Sequence, residues 1–212
     1  MALNVFIKSL IENIPNNHIP KNIDLVLDGG AFNGIYMLGS LFYIKELERR
    51  EKINIKRISG CSIGAVLGLL FLLNKMEISI EISTLAFKCL RKHQHLKKLI
   101  MVIKQKFNEI VTEEDLLIIN EKFYLTYFDT NDGKQVIKKK YNSRKDLLDC
   151  LLKSLYVPYL IDKGLTDNDG CIDGSFPHIF KPKKNRKILF LNLQSMDKIK
   201  KMIFIKHEKN IY

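Results

Sequence analysis

The most reactive arrangement in the sequence is a serine held between two glycines. Gly60, Cys61, Ser62, Ile63 and Gly64 form a G-x-S-x-G between an expected strand and an expected helix. Such a turn lifts the serine out of a sheet, and glycines at its flanks avoid clashes with neighbouring backbone. The positive end of the following helix favours an oxyanion nearby. Ser62 is therefore the candidate nucleophile.

A second turn, Asp28–Gly34, also joins an expected strand to an expected helix and reads DGGAFNG. A dinucleotide-binding loop would need G-x-G-x-x-G and an acidic residue ending the next strand. Ala31 takes the middle glycine position, and residues 59–61 at the end of the next strand hold no carboxylate. We favour an oxyanion loop whose backbone N–H groups, near Gly30 and Ala31, point at developing negative charge. A purely structural turn is the other alternative.

The third motif is Asp173-Gly174-Ser175, far downstream in the chain. An Asp-Gly pair taken alone usually marks a turn and nothing more. It gains interest here because a serine nucleophile needs a base within hydrogen-bond reach. Asp173 is the candidate for that base.

A Ser–Asp–His triad of the α/β-hydrolase type is an alternative for the same G-x-S-x-G motif. His178 and His207 follow Asp173 and could supply the histidine. However, a nucleophile at position 62 leaves little chain for the strands that normally precede it. We therefore interpret His178 as a histidine of the surface or site wall, and His93 and His95 as solvated.

The elements that must position these motifs alternate between strands and helices. Apolar runs predict strands within residues 21–27, 53–59, 134–141 and 187–193, and helical patterns cover 34–47, 63–75, 143–156 and most of 79–127. Capping patterns at Thr112/Asp115 and Ser143/Asp146 mark two helix starts. This alternation implies an α/β sandwich around a mostly parallel sheet. The 212 residues suit one domain, and no internal boundary is visible.

Charge and cysteine content bear on the partners and the cellular compartment of the protein. The net charge is +12, and basic residues cluster within 88–106 and 181–209. Such clusters attract polyanions, so nucleic acid and anionic membrane are both possible partners. The four cysteines are scattered without metal-site spacing, which favours reduced thiols in an intracellular protein.

Membrane insertion and secretion find no support in the sequence pattern. The longest apolar run, Ala65–Leu73, is far shorter than the roughly 20 residues that a spanning helix needs. The N-terminal residues 3–14 space their apolar side chains along one side of a helix, without the continuous core of a signal peptide. We expect this helix to pack on the domain, with a helix lying on a membrane as the alternative.

In order and spacing, the three motifs resemble those of the patatin-like phospholipase family. The glycine loop Gly29–Gly34, the Gly60–Gly64 turn and Asp173–Ser175 match the family's oxyanion loop, nucleophile motif and aspartate motif. The stretch GAFNGIYMLG also resembles the loop of the triglyceride-lipase branch, and residues 127–160 resemble the family's turn, strand and helix before a proline. The similarity covers about residues 22–195 of a chain expected to form a single domain, 1–212.

The resemblance implies a three-layer α/β/α sandwich and a Ser62–Asp173 dyad that hydrolyses lipid esters through an acyl-enzyme. It implies no cofactor and no metal. Three positions depart from the family pattern: Ala31 replaces a glycine, Asn33 replaces a common Arg or Lys, and Ser175 replaces a Gly or Ala. A weakly active or inactive lipid-binding protein is therefore the alternative function.

The resemblance also bears on the partners. A lipid substrate fits the basic clusters if they hold the protein at an anionic membrane surface. Nucleic acid would need aromatic residues interleaved on a basic strand, and residues 138–141 and 201–212 offer little of that pattern. We therefore expect peripheral contact with anionic lipid. The sequence gives no indication of oligomeric state.

Overall fold

The computed structural model describes residues 2–13, 20–30, 33–93 and 95–193. Strands and helices alternate along much of the chain, as the sequence pattern predicts. In order they are α1 (Ala2–Glu12), β1 (Asn22–Leu27), α2 (Gly34–Arg49), β2 (Asn54–Cys61), α3 (Ile63–Leu72), α4 (Ile78–His93), α5 (Lys97–Ile110), α6 (Asp115–Lys122), β3 (Phe123–Asp129), β4 (Lys134–Lys138), α7 (Arg144–Ser154), β5 (Cys171–Asp173) and β6 (Lys187–Leu191).

The strands form one sheet in the order β4-β3-β2-β1-β6, with β5 paired to β3 outside this path. β1 is parallel to both β2 and β6, and β2 is parallel to β3. β4 and β5 are antiparallel to β3. The predicted α/β class with a mostly parallel central sheet is confirmed.

β5 lies in line with β2 rather than beside it. A strand has two edges, and β4 occupies one edge of β3 from Leu125 to Asp129. β2 pairs with β3 over residues 123–126, and β5 pairs over residues 127–129. Since β4 fills the opposite edge of residues 127–129, β5 shares the edge that β2 uses. Being antiparallel to β3, β5 runs toward β2, so the carboxyl ends of the two strands meet.

One face of the sheet packs against the helices. Alternate residues of a strand point to the same side, so Leu25 and Leu27 of β1 share this face with Ile58 of β2. All three are fully buried. Helix α3 lies directly on them: a Cβ at its Gly68 would be 3.0 Å from Ile58 and 3.1 Å from Leu27. The core extends from here through the other helices, α1 included, whose Ile7 and Ile11 are buried. The prediction that the N-terminal helix packs on the domain is confirmed.

The opposite face carries a buried ion pair. Asp24 of β1 is 1% exposed and accepts hydrogen bonds from Nε and Nη2 of Arg57, the register partner on β2. Arg186 adds a second cation at 3.5 Å. Phe180, from the segment that follows β5, is buried with the Arg57 guanidinium 4.1 Å from its ring centroid. The pairing satisfies a carboxylate that would otherwise be costly to bury.

The boundaries of α7 and α6 test two assignments made from the sequence. The capping pattern before α7 is confirmed, since Ser143 Oγ accepts a 3.2 Å hydrogen bond from the N–H of Asp146. The expectation of mainly helical structure as far as residue 127 is wrong over its last residues. Helix α6 ends at Lys122 and β3 begins at once, because Phe123 and Leu125 are buried at alternate positions beside β2.

Across the described ranges, no helix combines the length and apolar character that crossing a bilayer requires.

Candidate active site

Ser62 occupies the sharp turn between β2 and α3 and has a backbone rarely seen for serine, with φ 52° and ψ −132°. Strain of this kind is held by surrounding structure and concentrates at functional sites. The flanking glycines make the turn possible. A Cβ at Gly60 would lie 2.5 Å from the Gly64 carbonyl oxygen, and one at Gly64 would lie 2.5 Å from that of Asp28. Both positions therefore exclude any larger residue.

The backbone N–H of Ser62 donates to Ser154 Oγ at 2.9 Å. Ser154 is the last residue of α7 and is fully buried. This contact fixes the turn against a helix that lies far away in sequence. The sequence reasoning missed Ser154, and no motif in a single sequence could have pointed to it.

The glycine-rich loop lies beside this turn. A Cβ at Gly29 would be 3.1 Å from both Ser62 Cβ and Cys61 Sγ, so the loop backbone approaches the serine closely. Gly34 is held against Ile63, where an added Cβ would be 2.5 Å away from Ile63 Cγ1. The structure thus brings both ends of the loop to the nucleophile turn.

Two further loop positions have defined surroundings. The N–H of Asn33 donates to the Gly30 carbonyl at 2.9 Å, which closes the turn before α2. The Asn33 side chain is exposed. Gly30 lies against Leu193, 3.0 Å from the position of an added Cβ. Ala31 lies outside the described residues, so its predicted part in an oxyanion loop stays a prediction.

Asp173 ends β5 and is half-buried. Its N–H donates to the Tyr156 carbonyl at 2.8 Å, and its Oδ1 accepts from the N–H of Ser175 at 2.9 Å. Ser175 itself has φ 53°, in the left-handed region. Gly174 packs so closely on the backbone of Thr126 that an added Cβ would clash with the Thr126 carbonyl oxygen. These contacts hold the aspartate against the edge of β3.

The strand pairing brings the two candidate reacting residues to one place. Cys61, directly before Ser62, pairs with Thr126, and Asp173 pairs with the next residue, Tyr127. Both pairings use the same edge of β3, where successive residues are about 3.3 Å apart. The nucleophile turn and the aspartate therefore lie at the junction where β2 and β5 meet end to end.

An apolar cavity of about 70 Å³ opens beside Ser62. Its lining is almost entirely aliphatic and comes from the start of α2, from α3, α4 and α5, and from the segment after α7. The lining residues include Leu67, Ile82, Ala86, Ile100, Ile103 and Leu160. Ile35 and Phe87 line the cavity and are also 47% and 41% exposed, so they mark its mouth. A volume of this size is several times what one buried water requires, about 10–15 Å³.

His178 packs against two aromatic side chains. Its ring stacks on Tyr124 at a centroid distance of 5.6 Å and meets Phe180 edge-on at 5.2 Å. Tyr124 pairs with Ser59, three residues before Ser62. The interpretation of His178 as a histidine of the surface or site wall stays a prediction. His93 and His95 stack on each other at 5.8 Å, and His207 lies outside the described residues.

The pKa of His93 is lowered by partial burial and by the nearby cations of Lys98 and Lys92.

Within the described part of the chain, His, Cys, Asp and Glu side chains form no cluster of three or more that could hold a metal ion.

Comparison with known proteins agrees with the motifs. Residues 25–88 match the family model described as Patatin-like phospholipase. Omega-hydroxyceramide transacylase of Mus musculus is 22% identical over 136 residues, which are 61% of this chain and 23% of that protein. The Homo sapiens protein of the same name is 21% identical over 136 residues, which are 61% of this chain and 26% of its own length. The chain spans about a quarter of the length of these curated relatives.

Among solved structures, VipD from Legionella pneumophila aligns with a TM-score of 0.40 and 14% identity, covering 87% of this chain and 52% of that chain.

The chain thus combines a mostly parallel α/β sheet with a strained serine beside an apolar cavity. The predicted resemblance to the patatin-like phospholipase family is confirmed by the match over residues 25–88. This matched segment contains the glycine loop and the nucleophile turn. Asp173 lies beyond it.

Proposed function

We propose that this protein is a lipid acyl hydrolase in which Ser62 is the nucleophile and Asp173 the general base. The observation that supports the pairing best is the meeting of β2 and β5 on one edge of β3. It joins two motifs, more than a hundred residues apart in sequence, that were selected for complementary chemistry. A nucleophile and its base must lie within hydrogen-bond reach of each other, and this junction places the two motifs next to each other on β3.

The reaction proceeds in two halves. Ser62 Oγ attacks the ester carbonyl carbon while Asp173 takes the hydroxyl proton, which gives a tetrahedral oxyanion. The intermediate collapses to an acyl-serine, and the departing alcohol takes the proton from Asp173. Water then attacks the acyl-serine, with Asp173 as base again, and the carboxylic acid leaves.

Two features support stabilisation of the oxyanion. The glycine loop lies close to Ser62, since a Cβ added at Gly29 would be 3.1 Å from Ser62 Cβ, and an oxyanion loop must approach the nucleophile. Helix α3 begins at Ile63, so its amino end points toward the reacting centre and favours negative charge there. Gly30 and Ala31 complete the loop in this proposal. The exposed Asn33 side chain then contributes no charge to the oxyanion.

The cavity supports an acyl chain as the part of the substrate that the protein recognises. Its aliphatic wall offers no ion pair to a polar head group, and Ser62 lies at its border. The name of the two relatives, omega-hydroxyceramide transacylase, denotes acyl transfer to an alcohol. Hydrolysis and transfer share the acyl-serine and differ only in whether water or an alcohol accepts the acyl group.

The decisive experiment combines ester hydrolysis with covalent labelling by a fluorophosphonate. We expect Ser62→Ala to lose label and activity, and Asp173→Asn to lower activity by about a thousandfold or more. Matched controls are Ser79→Ala, a buried serine in α4, and Asp132→Asn, an exposed aspartate in the β3–β4 turn. Both should behave as the wild type.

Three outcomes would change this assignment. Activity that survives in Ser62→Ala would remove the proposed nucleophile. Loss of activity of similar size in His178→Ala would restore the triad. A wild type that neither labels nor hydrolyses short-chain esters and phospholipids would favour the lipid-binding protein, which the departures at Ala31, Asn33 and Ser175 also allow.

A further inference from the structure

We propose that the outer faces of α4 and α5 bind an anionic lipid bilayer and turn the mouth of the cavity toward it. We call this the α4–α5 surface and define it by its exposed side chains. These are Ile80, Phe87, Lys88, Arg91, Lys92, Lys97, Lys98, Met101 and Lys104. The role of this surface rests on the proposed function, but its binding to lipid can be measured without catalysis.

The charge of this helix pair is strongly one-sided. Residues 78–110 contain seven Lys and Arg against two Asp and Glu, a net of +5. One of the two acids, Glu81, is paired with Lys106 at 2.9 Å, which leaves most of the exposed cations to solvent counterions. A bilayer rich in anionic lipid complements such a surface.

Exposed apolar side chains lie among these cations. Ile80 is 53% exposed, Phe87 41% and Met101 64%, although each helix buries a separate row of apolar residues in the core. Large apolar groups surrounded by lysine are typical of a helix that rests in a membrane interface. Nucleic acid recognition would instead use several stacking aromatics, and Phe87 is the single aromatic of the surface.

The opposite sides of the same helices form the cavity. Ala86 follows the inner face of α4, and Ile100 and Ile103 follow that of α5, where they line the space beside Ser62. Phe87 belongs both to the lining and to the exposed surface. A bilayer in contact with Phe87 therefore reaches the mouth directly, and an acyl chain can enter without crossing water.

The test measures binding to vesicles in the Ser62→Ala background, so that a failure of the catalytic proposal cannot alter the result. We expect binding to vesicles of about one-third phosphatidylserine, and much weaker binding to pure phosphatidylcholine. Replacing Lys88, Arg91 and Lys98 by Gln should weaken binding to the phosphatidylserine vesicles by about 100-fold. The matched control neutralises Lys139, Lys140 and Lys145, which are exposed and lie between β4 and the first turn of α7.

The apolar contribution has its own matched pair. Met101→Ser should weaken vesicle binding several-fold, whereas Leu117→Ser, at an 80% exposed residue of α6, should not.

Equal loss of binding in the two triple variants would show attraction to overall charge and overturn the proposal. So would binding that ignores anionic lipid, or a preference for a single-stranded oligonucleotide over vesicles that depends on the α4–α5 cations.

Discussion

The backbone N–H of Ser62 donates a 2.9 Å hydrogen bond to Ser154 Oγ, which ties the nucleophile turn to the end of α7. Both residues are buried, with Ser62 6% exposed and Ser154 fully enclosed. The bond satisfies an N–H that stands in a strained turn with no strand partner. It also means that the Ser62 N–H is already engaged before any substrate binds.

Removing this hydroxyl should misplace the nucleophile. Ser154→Ala leaves a buried N–H unsatisfied, which costs about 1–3 kcal/mol of unfolding free energy. We expect kcat for ester hydrolysis to fall about tenfold with little change in KM, since the cavity is untouched. Urea unfolding and steady-state kinetics measure the two effects. A matched buried serine, Ser79→Ala, should lose stability without the fall in kcat. An unchanged kcat in Ser154→Ala would assign the bond to stability alone.

The glycines of the chain should differ sharply in their tolerance of a methyl group. Gly64→Ala forces a Cβ to within 2.6 Å of the Leu27 and Asp28 carbonyl oxygens, both rigid backbone atoms. We expect a loss of stability of several kcal/mol or failure to fold, as clashes in a packed core produce. Gly39→Ala, in α2 with open space around it, should stabilise by about 0.5–1 kcal/mol. Thermal unfolding measures both, and a tolerated Gly64→Ala would contradict the geometry of the turn.

Filling the cavity should change acyl-chain selectivity. Ala86 lines the cavity and is 9% exposed, so Ala86→Leu removes space beside Ser62. We expect kcat/KM to fall with increasing acyl length, by tenfold or more for long chains and little for acetate, because a missing methylene site is worth about 1–3 kcal/mol. Thr84→Leu, on the exposed side of the same helix, is the control. Equal effects on all chain lengths would mean that the acyl group binds elsewhere.

The cysteines should stay unreactive in the native protein. Cys61, Cys89, Cys150 and Cys171 are all buried and none forms a disulfide. Burial raises the pKa of the Cys150 thiol to about 12, and the thiolate is the reactive form. Iodoacetamide labelling of native Cys150 should therefore be slow and should not rise between about pH 7 and pH 9, the range in which an unfolded thiol ionises. Mass spectrometry locates the label. Fast labelling that follows a pKa near 8.5 would contradict this burial.

The sequence pattern predicted several individual strands well. Which strands pair with each other is visible only in the structure. The strands β1, β2 and β6 stand out as apolar runs ended by glycine or polar residues. β3 was missed, because Phe123 follows α6 without a breaker and only its neighbours on β2 select the strand. β3 is central to the proposed site, because β2 and β5, the strands next to Ser62 and Asp173, both pair with the same edge of it.

The site shows the same division. Ser62 and Asp173 could be proposed from the sequence because glycines mark their turns. Ser154 has no such mark, since a serine near the end of an amphipathic helix commonly bonds within its own turn or faces solvent. Its partner is 92 residues away, and only the packing of α7 reveals the contact. The cavity likewise depends on how α4 and α5 lie on α3, which is a property of three-dimensional shape.

The end-to-end junction of β2 and β5 has a consequence during protein synthesis. The ribosome releases Ser62 long before Asp173, and the edge of β3 must already be in place for β5 to reach it. A nascent or truncated chain thus holds a nucleophile with no base, however well its first strands have formed. On the proposed mechanism, ester cleavage therefore requires synthesis beyond Asp173 and the pairing of β5 with β3.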